Sequence, residues 1–319
     1  MAEHSIATTA RPTAERREGG MAEQVWRSTD YLVRGRFEEA HDALVARREK
    51  PTPATTLDLA RAMHTADLAD APIEDWTTSH VTANRVALVT LEMPQTAAAH
   101  GRLEEGNSAS RADRTTDKLT VSRFNQNLAE AMAYMPPSML ATFPTELRRR
   151  SSDLLRDEWH VATLANDNYN RIISGISREV ALWRAAEAEL PEGWEIVGAT
   201  PEEDLRGTDI IIYDADDNEL RLDSKTDTGF NRAVKKQYDD GYMTAAEAEA
   251  ATTNGYFYKS GTTPGGEPIQ NCIVNADSLG KVRNFEYEDT EPVMAFIEKQ
   301  FAEQRGRRLR KVGKTAITT

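Results

Sequence analysis

The spacing of apolar side chains changes character once along the chain. From Val25 to about Trp159 it is helical: Tyr31, Leu32, Phe37, Ala40 and Leu44 recur at helical intervals, and Leu57, Leu59, Ala60 and Met63 begin a second amphipathic run after Pro51 and Pro53. A third run, Ile73 to Leu91, is expected to end at Pro94, because proline has no N–H to donate and its ring collides with the preceding turn. Gly101 to Asp117 is polar, with Gly106 and Asn107 inside it, and reads as an exposed loop. Leu128, Met132 and Met135 resume a helix that stops at Pro136-Pro137, and Leu147 to Leu164 forms another. Residues 1 to 22 have no apolar period and read as a disordered tail, with Met21 as an alternative start.

Beyond Asn166-Asp167-Asn168 the period shortens. A helix over Arg171 to Glu189 is closed by Pro191-Glu192-Gly193, and three strand signals follow at Trp194–Val197, Thr208–Tyr213 and Glu219–Ser224. The last two flank Asp214-Ala215-Asp216-Asp217-Asn218, whose Asp and Asn content suits a hairpin turn. Helices are expected at Phe230–Tyr238 and Thr244–Ala251, and strands at Tyr256–Lys259 and Ile269–Asn275. The order helix, three strands, helix, strand predicts an α/β core with a mixed sheet. The chain divides into a tail (1–22), a largely helical N-terminal region (23–159), the α/β core (160–303) and a basic C-terminal tail (304–319).

Composition narrows the chemistry. Of 319 residues, 52 are Asp or Glu and 39 Lys or Arg, a formal net charge of -13 that disfavours a simple basic nucleic-acid binder. Only ten of those cations are lysine and the acids are dispersed, which reads as a surface bias, so local charge must decide. A lone Cys272 excludes a disulfide framework and cysteine zinc sites. No apolar run approaches the roughly 18 residues of a membrane span, so a soluble, cytoplasmic protein without membrane contact is expected. All six histidines, from His4 to His160, precede the α/β core, and a histidine-metal or Ser-His-Asp site within that core is therefore excluded. There is no Gly-x4-Gly-Lys-Ser/Thr phosphate loop, which argues against ATP-driven translocation.

The hairpin carries the sharpest signal. Asp209 opens one strand while Asp223 and Lys225 close its antiparallel neighbour, so all three reach one end of the sheet. Asp223 and Lys225, two apart on a strand, point the same way. Two carboxylates beside an ammonium suit phosphodiester hydrolysis, with the carboxylates holding Mg²⁺ and the lysine orienting water. On the preceding helix Ile172, Ile176, Glu179 and Trp183 share a face, and a glutamate on an apolar face needs a partner. On the following helix Phe230, Val234 and Gln237 share another. The plainer alternatives are a turn cap at Asp209, a solvated Asp223–Lys225 ion pair, and a surface pair of Glu179 with Arg178 or Arg184.

Thr208-Asp209 followed by Asp223-Ser224-Lys225 resembles the bipartite motif of the PD-(D/E)XK nuclease superfamily, with Thr where Pro is frequent and Asp where Glu is. The resemblance covers chiefly residues 171 to 242. It implies a restriction-endonuclease-like core (α-β-β-β-α-β) in which Asp209, Asp223 and Glu179 serve the metal, Lys225 the attacking water, and Gln237 the lysine or phosphate. It further implies a Mg²⁺-dependent enzyme cutting double-stranded DNA to 5′-phosphate and 3′-hydroxyl ends. The length of the helical region favours a type II restriction endonuclease, a homodimer with a DNA methyltransferase in the same system. A Holliday-junction resolvase, a repair nuclease, or a non-catalytic DNA-binding module are the alternatives. Candidate DNA-backbone contacts are Arg232, Lys235 and Lys236, beside two further basic clusters at Arg148–Arg150 with Arg156 and in the tail from Arg305 to Lys314.

Overall fold

The computed structural model describes residues 31–46, 58–59, 61–63, 65, 77–106, 110–153, 166–263 and 265–315. The expected tail (1–22), most of the second amphipathic run and residues 154–165, with Arg156 and His160, lie outside the described residues.

The N-terminal half is helical. Helices α1 (Tyr31–Val45), α2 (Thr78–Glu105), α3 (Arg111–Ala133), α4 (Pro137–Leu140) and α5 (Phe143–Asp153) follow one another. Their apolar faces meet in one core around Phe37, Phe124, Leu128, Met132 and Phe143. Phe37 and Phe143 stack edge to face with centroids 6.2 Å apart.

Two local expectations are overturned here. Pro94 does not end a helix; it lies buried inside α2. A proline interior to a helix costs about 3 kcal/mol, but Val86, Val89, Leu91, Met93 and Ala97 around it are all buried, and that packing outweighs the local penalty. The polar stretch Gly101 to Asp117 is mostly helix as well. Gly106, in the left-handed conformation, ends α2, and Ser110 caps α3 by accepting from the Asp113 N–H. Polarity there reflects pairing across the helices, since Arg102 grips the buried Asp117 through Nε at 3.1 Å to each carboxylate oxygen.

The second half is α/β. Helix α6 (Asn166–Glu189) leads into β1 (Glu195–Gly198), the one-turn helix α7 (Pro201–Asp204), β2 (Ile210–Tyr213) and β3 (Glu219–Lys225). Helices α8 (Asp227–Asp239) and α9 (Ala245–Asn254) come next, then β4 (Tyr256–Thr262) and β5 (Pro268–Asn275). A small hairpin, β6 (Val282–Arg283) and β7 (Glu286–Tyr287), precedes α10 (Glu291–Thr315), which carries the basic residues expected in a C-terminal tail; from Arg305 only its backbone is described. The five-stranded sheet has the order β1-β2-β3-β5-β4, with β3 parallel to β5 and every other pairing antiparallel. The mixed sheet and the order helix, three strands, helices, strands agree with the sequence pattern. Among the described residues no helix is long and apolar enough to cross a membrane.

Alternation along the strands builds three layers. Ile210, Ile212, Leu220, Leu222, Cys272 and Val274 face α6 and α10, whose Val293, Ile297 and Phe301 recur at helical spacing. Phe257 and Ile273 face the other way, onto Phe230 and Val234 of α8 and Ala251 of α9. Asp223 stands in register with Ile273 and so belongs to this second face. Helix α6 joins the two halves: Tyr169, Ile176 and Val180 enter the helical core, whereas Ala181, Leu182 and Trp183 enter the sheet core.

Candidate active site

The start of β2 and the end of β3 lie side by side, because Ile210 pairs with Leu222. Each side chain at that end is pinned. Asp209 donates its N–H to the Leu222 carbonyl at 2.7 Å, and its Oδ2 accepts from the Ser224 N–H at 2.7 Å. It therefore ties two strands together and does not merely cap a turn. Thr208, fully buried, donates to Asn271 Oδ1 of β5 at 2.9 Å, while Asn271 Nδ2 donates to the Arg206 carbonyl at 3.2 Å. These bonds fix the loop that delivers Asp209.

Asp223 is buried and forms an ion pair with Lys225, its neighbour two residues along the same strand. Gly207 makes room for it. A Cβ at Gly207 would lie 3.0 Å from Asp223 Oδ2, and the glycine's φ of +89° disfavours any other residue. Helix α8 begins directly after Lys225: Thr226 caps it, and Asp277 accepts from the Asp227 N–H at 2.8 Å and from Arg178 Nε at 2.9 Å.

Glu179, Asp204, Asp209 and Lys225 line one cavity of about 400 Å³. Glu179 takes neither neighbouring arginine: Arg178 pairs with Asp277 at 2.9 Å and Arg184 with Glu286 at 2.7 Å. Burial, then repulsion from Asp209 and Asp204, lifts the Glu179 carboxyl well above the usual range. Asp223 is pushed up to about 7 by burial and by Asp209, against the pull of Lys225. Burial opposes charge on Lys225, yet Asp209 and Asp223 hold its ammonium above the usual lysine range, so it stays protonated. Four carboxylates thus converge on one cation.

Asp204 is the member that sequence reasoning missed. It ends α7, which Thr200 opens with a reciprocal capping box to Glu203. Arg221 of β3 holds Glu203 at 2.7 Å, and Ser122 of α3 donates to Asp204 Oδ2 and, at 3.1 Å, to the Pro201 carbonyl. Burial and the nearby Asp209 push Asp204 up to about 7. The Thr-Pro-x-Glu capping signature was legible in the sequence; the partner 82 residues earlier was not.

The helical half also reaches the cavity. His100 of α2 and Asn125 and Gln126 of α3 form part of its wall. His100 thus stands at the cavity although it precedes the α/β core, because α3 packs on α6 and α7 and carries α2 with it. Gln237 is not brought in: it is not among the residues lining the cavity, and its carbonyl accepts from the Tyr242 and Met243 N–H groups at the far end of α8. Lys235 and Lys236 are exposed and paired with Asp239 and Asp240, the former at 2.6 Å, and Arg232 is exposed. The cluster Arg148–Arg150 is structural in part, since Arg149 and Arg150 bind Glu146 and Arg150 also binds Glu38.

Among the described residues no three His, Cys, Asp or Glu side chains gather closely enough to hold an ion by themselves. Mg²⁺ rarely asks for that. It is commonly held by one or two carboxylates, with water and phosphate oxygens in the remaining positions. An excess of buried carboxyls beside a cavity of about 400 Å³ fits such an ion in its donor chemistry. No protein-family model, no curated protein and no solved structure matches this chain.

Proposed function

We propose that the chain is a Mg²⁺-dependent nuclease hydrolysing phosphodiester bonds in DNA, on a restriction-endonuclease-like core. The observation that carries this reading is the convergence of Glu179, Asp204, Asp209 and Lys225 on one cavity, with Asp223 paired behind the lysine. The helix, the three-stranded meander and the parallel β3–β5 pair support the core assignment.

Asp209 and Asp223 would hold the ion, with Glu179 and Asp204 reaching it through water. The bound ion would supply Lewis acidity at the scissile phosphate. Lys225, kept protonated, serves as a hydrogen-bond donor to the attacking water and a phosphate oxygen, stabilising charge as it grows. Asp204, raised toward neutrality, is suited to take the water's proton. In-line attack would leave a 5′-phosphate and a 3′-hydroxyl.

A type II restriction enzyme is the specific form we favour, working in the cytoplasm as a homodimer because one site cuts one strand and a palindrome matches two-fold symmetry. Incubating the purified protein with several plasmids and Mg²⁺ tests it. Discrete fragments support restriction, and cutting confined to four-way junctions would make the enzyme a resolvase. Asp223→Ala should lower cutting by at least a thousandfold while DNA binding persists; undiminished cutting would refute the site.

A further inference from the structure

Helix α3 carries one row of residues from the acid cavity out to solvent. Arg111, Arg114, Lys118, Val121 and Asn125 follow one another at intervals of three, four, three and four, the spacing that keeps positions on one helix face. Val121 and Asn125 line the cavity, and Ser122 beside them holds Asp204. The three members nearer the helix start are all cations, and all are exposed.

These cations are also uncommitted. Arg111, Arg114 and Lys118 make no ion pair among the described residues, and the acids of the same turns are occupied: Arg102 grips Asp117, and Asp113 accepts from the Ser110 hydroxyl at 2.7 Å. Other exposed cations are neutralised locally, as Lys235 and Lys236 are by Asp239 and Asp240, and Arg149 by Glu146. In a chain of net charge -13 the row is a local reversal of sign, and it attracts an anion. Spacing identifies that anion. Arg111 to Lys118 spans about 10 Å at 1.5 Å per residue, roughly three steps of a duplex strand at 3.4 Å each. Repeated phosphates engage such a row along its length, whereas a small anion meets one member of it.

Resting on the nuclease reading, we infer that this face of α3 is the track for the phosphate backbone of duplex DNA, with Arg111, Arg114 and Lys118 binding phosphates that flank the scissile one. Lys118 lies about 4.5 Å along the helix from Val121, so a strand seated on the row is continuous with the cavity. Contacts of this kind position a duplex without reading its bases. The helical region thereby supplies the grip and the α/β core the chemistry, and the grip lies on α3, not on α8, whose lysines are tied to acids.

The salt dependence of binding tests this, with Ca²⁺ in place of Mg²⁺ and fluorescence anisotropy of labelled duplexes about 30 base pairs long. The triple variant Arg111→Gln, Arg114→Gln, Lys118→Gln should bind every duplex at least tenfold more weakly than wild type at about 100 mM KCl. Its plot of log affinity against log salt should be shallower by about 3, since each phosphate contact contributes about 0.9 to the slope. Its melting temperature should not move, because the three side chains are exposed and glutamine suits a helix about as well. A control removes equal charge from cations already engaged: Lys281 and Arg283, paired with Glu288, and Lys299, over the Tyr256 ring. Lys281→Gln, Arg283→Gln, Lys299→Gln should leave the slope as in wild type. An unchanged slope in the α3 variant, or an equal loss in the control, overturns the inference, and wild-type cutting in Mg²⁺ then keeps the nuclease reading standing. Lost binding to phosphatidylserine vesicles with unchanged binding to DNA would assign the face to a membrane surface and overturn it equally. If wild-type protein neither binds nor cuts any DNA, the nuclease reading falls and this inference with it.

Discussion

At Gly207 the absence of one carbon atom determines where a candidate metal-binding carboxylate can lie. The residue holds φ at +89°, and a Cβ there would press on Asp223 Oδ2. Gly207→Ala must therefore adopt an unfavourable left-handed backbone, costing about 1–2 kcal/mol, and must also displace the Asp223 carboxylate. Misplacing a reacting group by about 1 Å can cost a hundredfold in rate. We expect the variant to melt a few degrees lower and to lose cutting by about two orders of magnitude; full activity with an unchanged melting curve would show that the Gly207–Asp223 contact is immaterial. Asp223 and Lys225 were legible because residues two apart on a strand point together. Gly207's role was not, since it depends on how the loop before β2 folds back over β3.

Helix α6 shows what periodicity can and cannot deliver. Its apolar spacing located the helix to within five residues at its start, and Ile176 and Trp183 are buried as the shared face required. Glu179 on that face was recognised from the cost of burying a lone carboxylate. Gly175, one turn before Glu179, lines the cavity with nothing within 4 Å of a Cβ built on it. A glycine inside a helix costs roughly 0.5–1 kcal/mol relative to alanine. Gly175→Ala should accordingly raise stability by about that amount with cutting preserved, whereas Gly175→Leu should keep the stability and depress substrate affinity by filling the cavity. Parallel denaturation and cleavage assays check this, and undiminished affinity in the leucine variant would remove Gly175 from the substrate path. What spacing missed was long-range: Pro94 survives within α2 because its neighbours pack, and Asp204 is held by Ser122 and by Arg221 acting through Glu203, contacts no local pattern encodes.

At the scale of the molecule the site is a seam. Helix α6 belongs to both cores, and the cavity takes residues from α2, α3, α6, α7, β3 and the start of β2. Folding therefore compresses like charges that the unfolded chain keeps apart, and that compression has a pH signature. Asp204 and Asp223 ionise near pH 7 in the fold, with Glu179 also raised, against about 4 for the unfolded carboxyls. Between those values the folded state binds more protons than the unfolded one, so the contribution of these groups is present at acid pH and is lost as pH rises toward 7. Lys225 stays charged throughout this window and adds no slope. A divalent cation binds the ionised form and stabilises the fold by mass action. Carboxyls elsewhere, such as Glu146 and Glu203, held down by arginine hydrogen bonds against their burial, and Glu92 and Glu130, raised by burial, titrate alike with and without the ion. The difference between melting curves in Mn²⁺ and in EDTA consequently isolates the cluster. That difference should be small at pH 5 and grow by several degrees at pH 8, and should vanish at both in the Asp209→Asn, Asp223→Asn double variant. A difference equal at the two pH values would mean that the ion binds away from these carboxylates, and the acid cluster would then have to be explained without a metal.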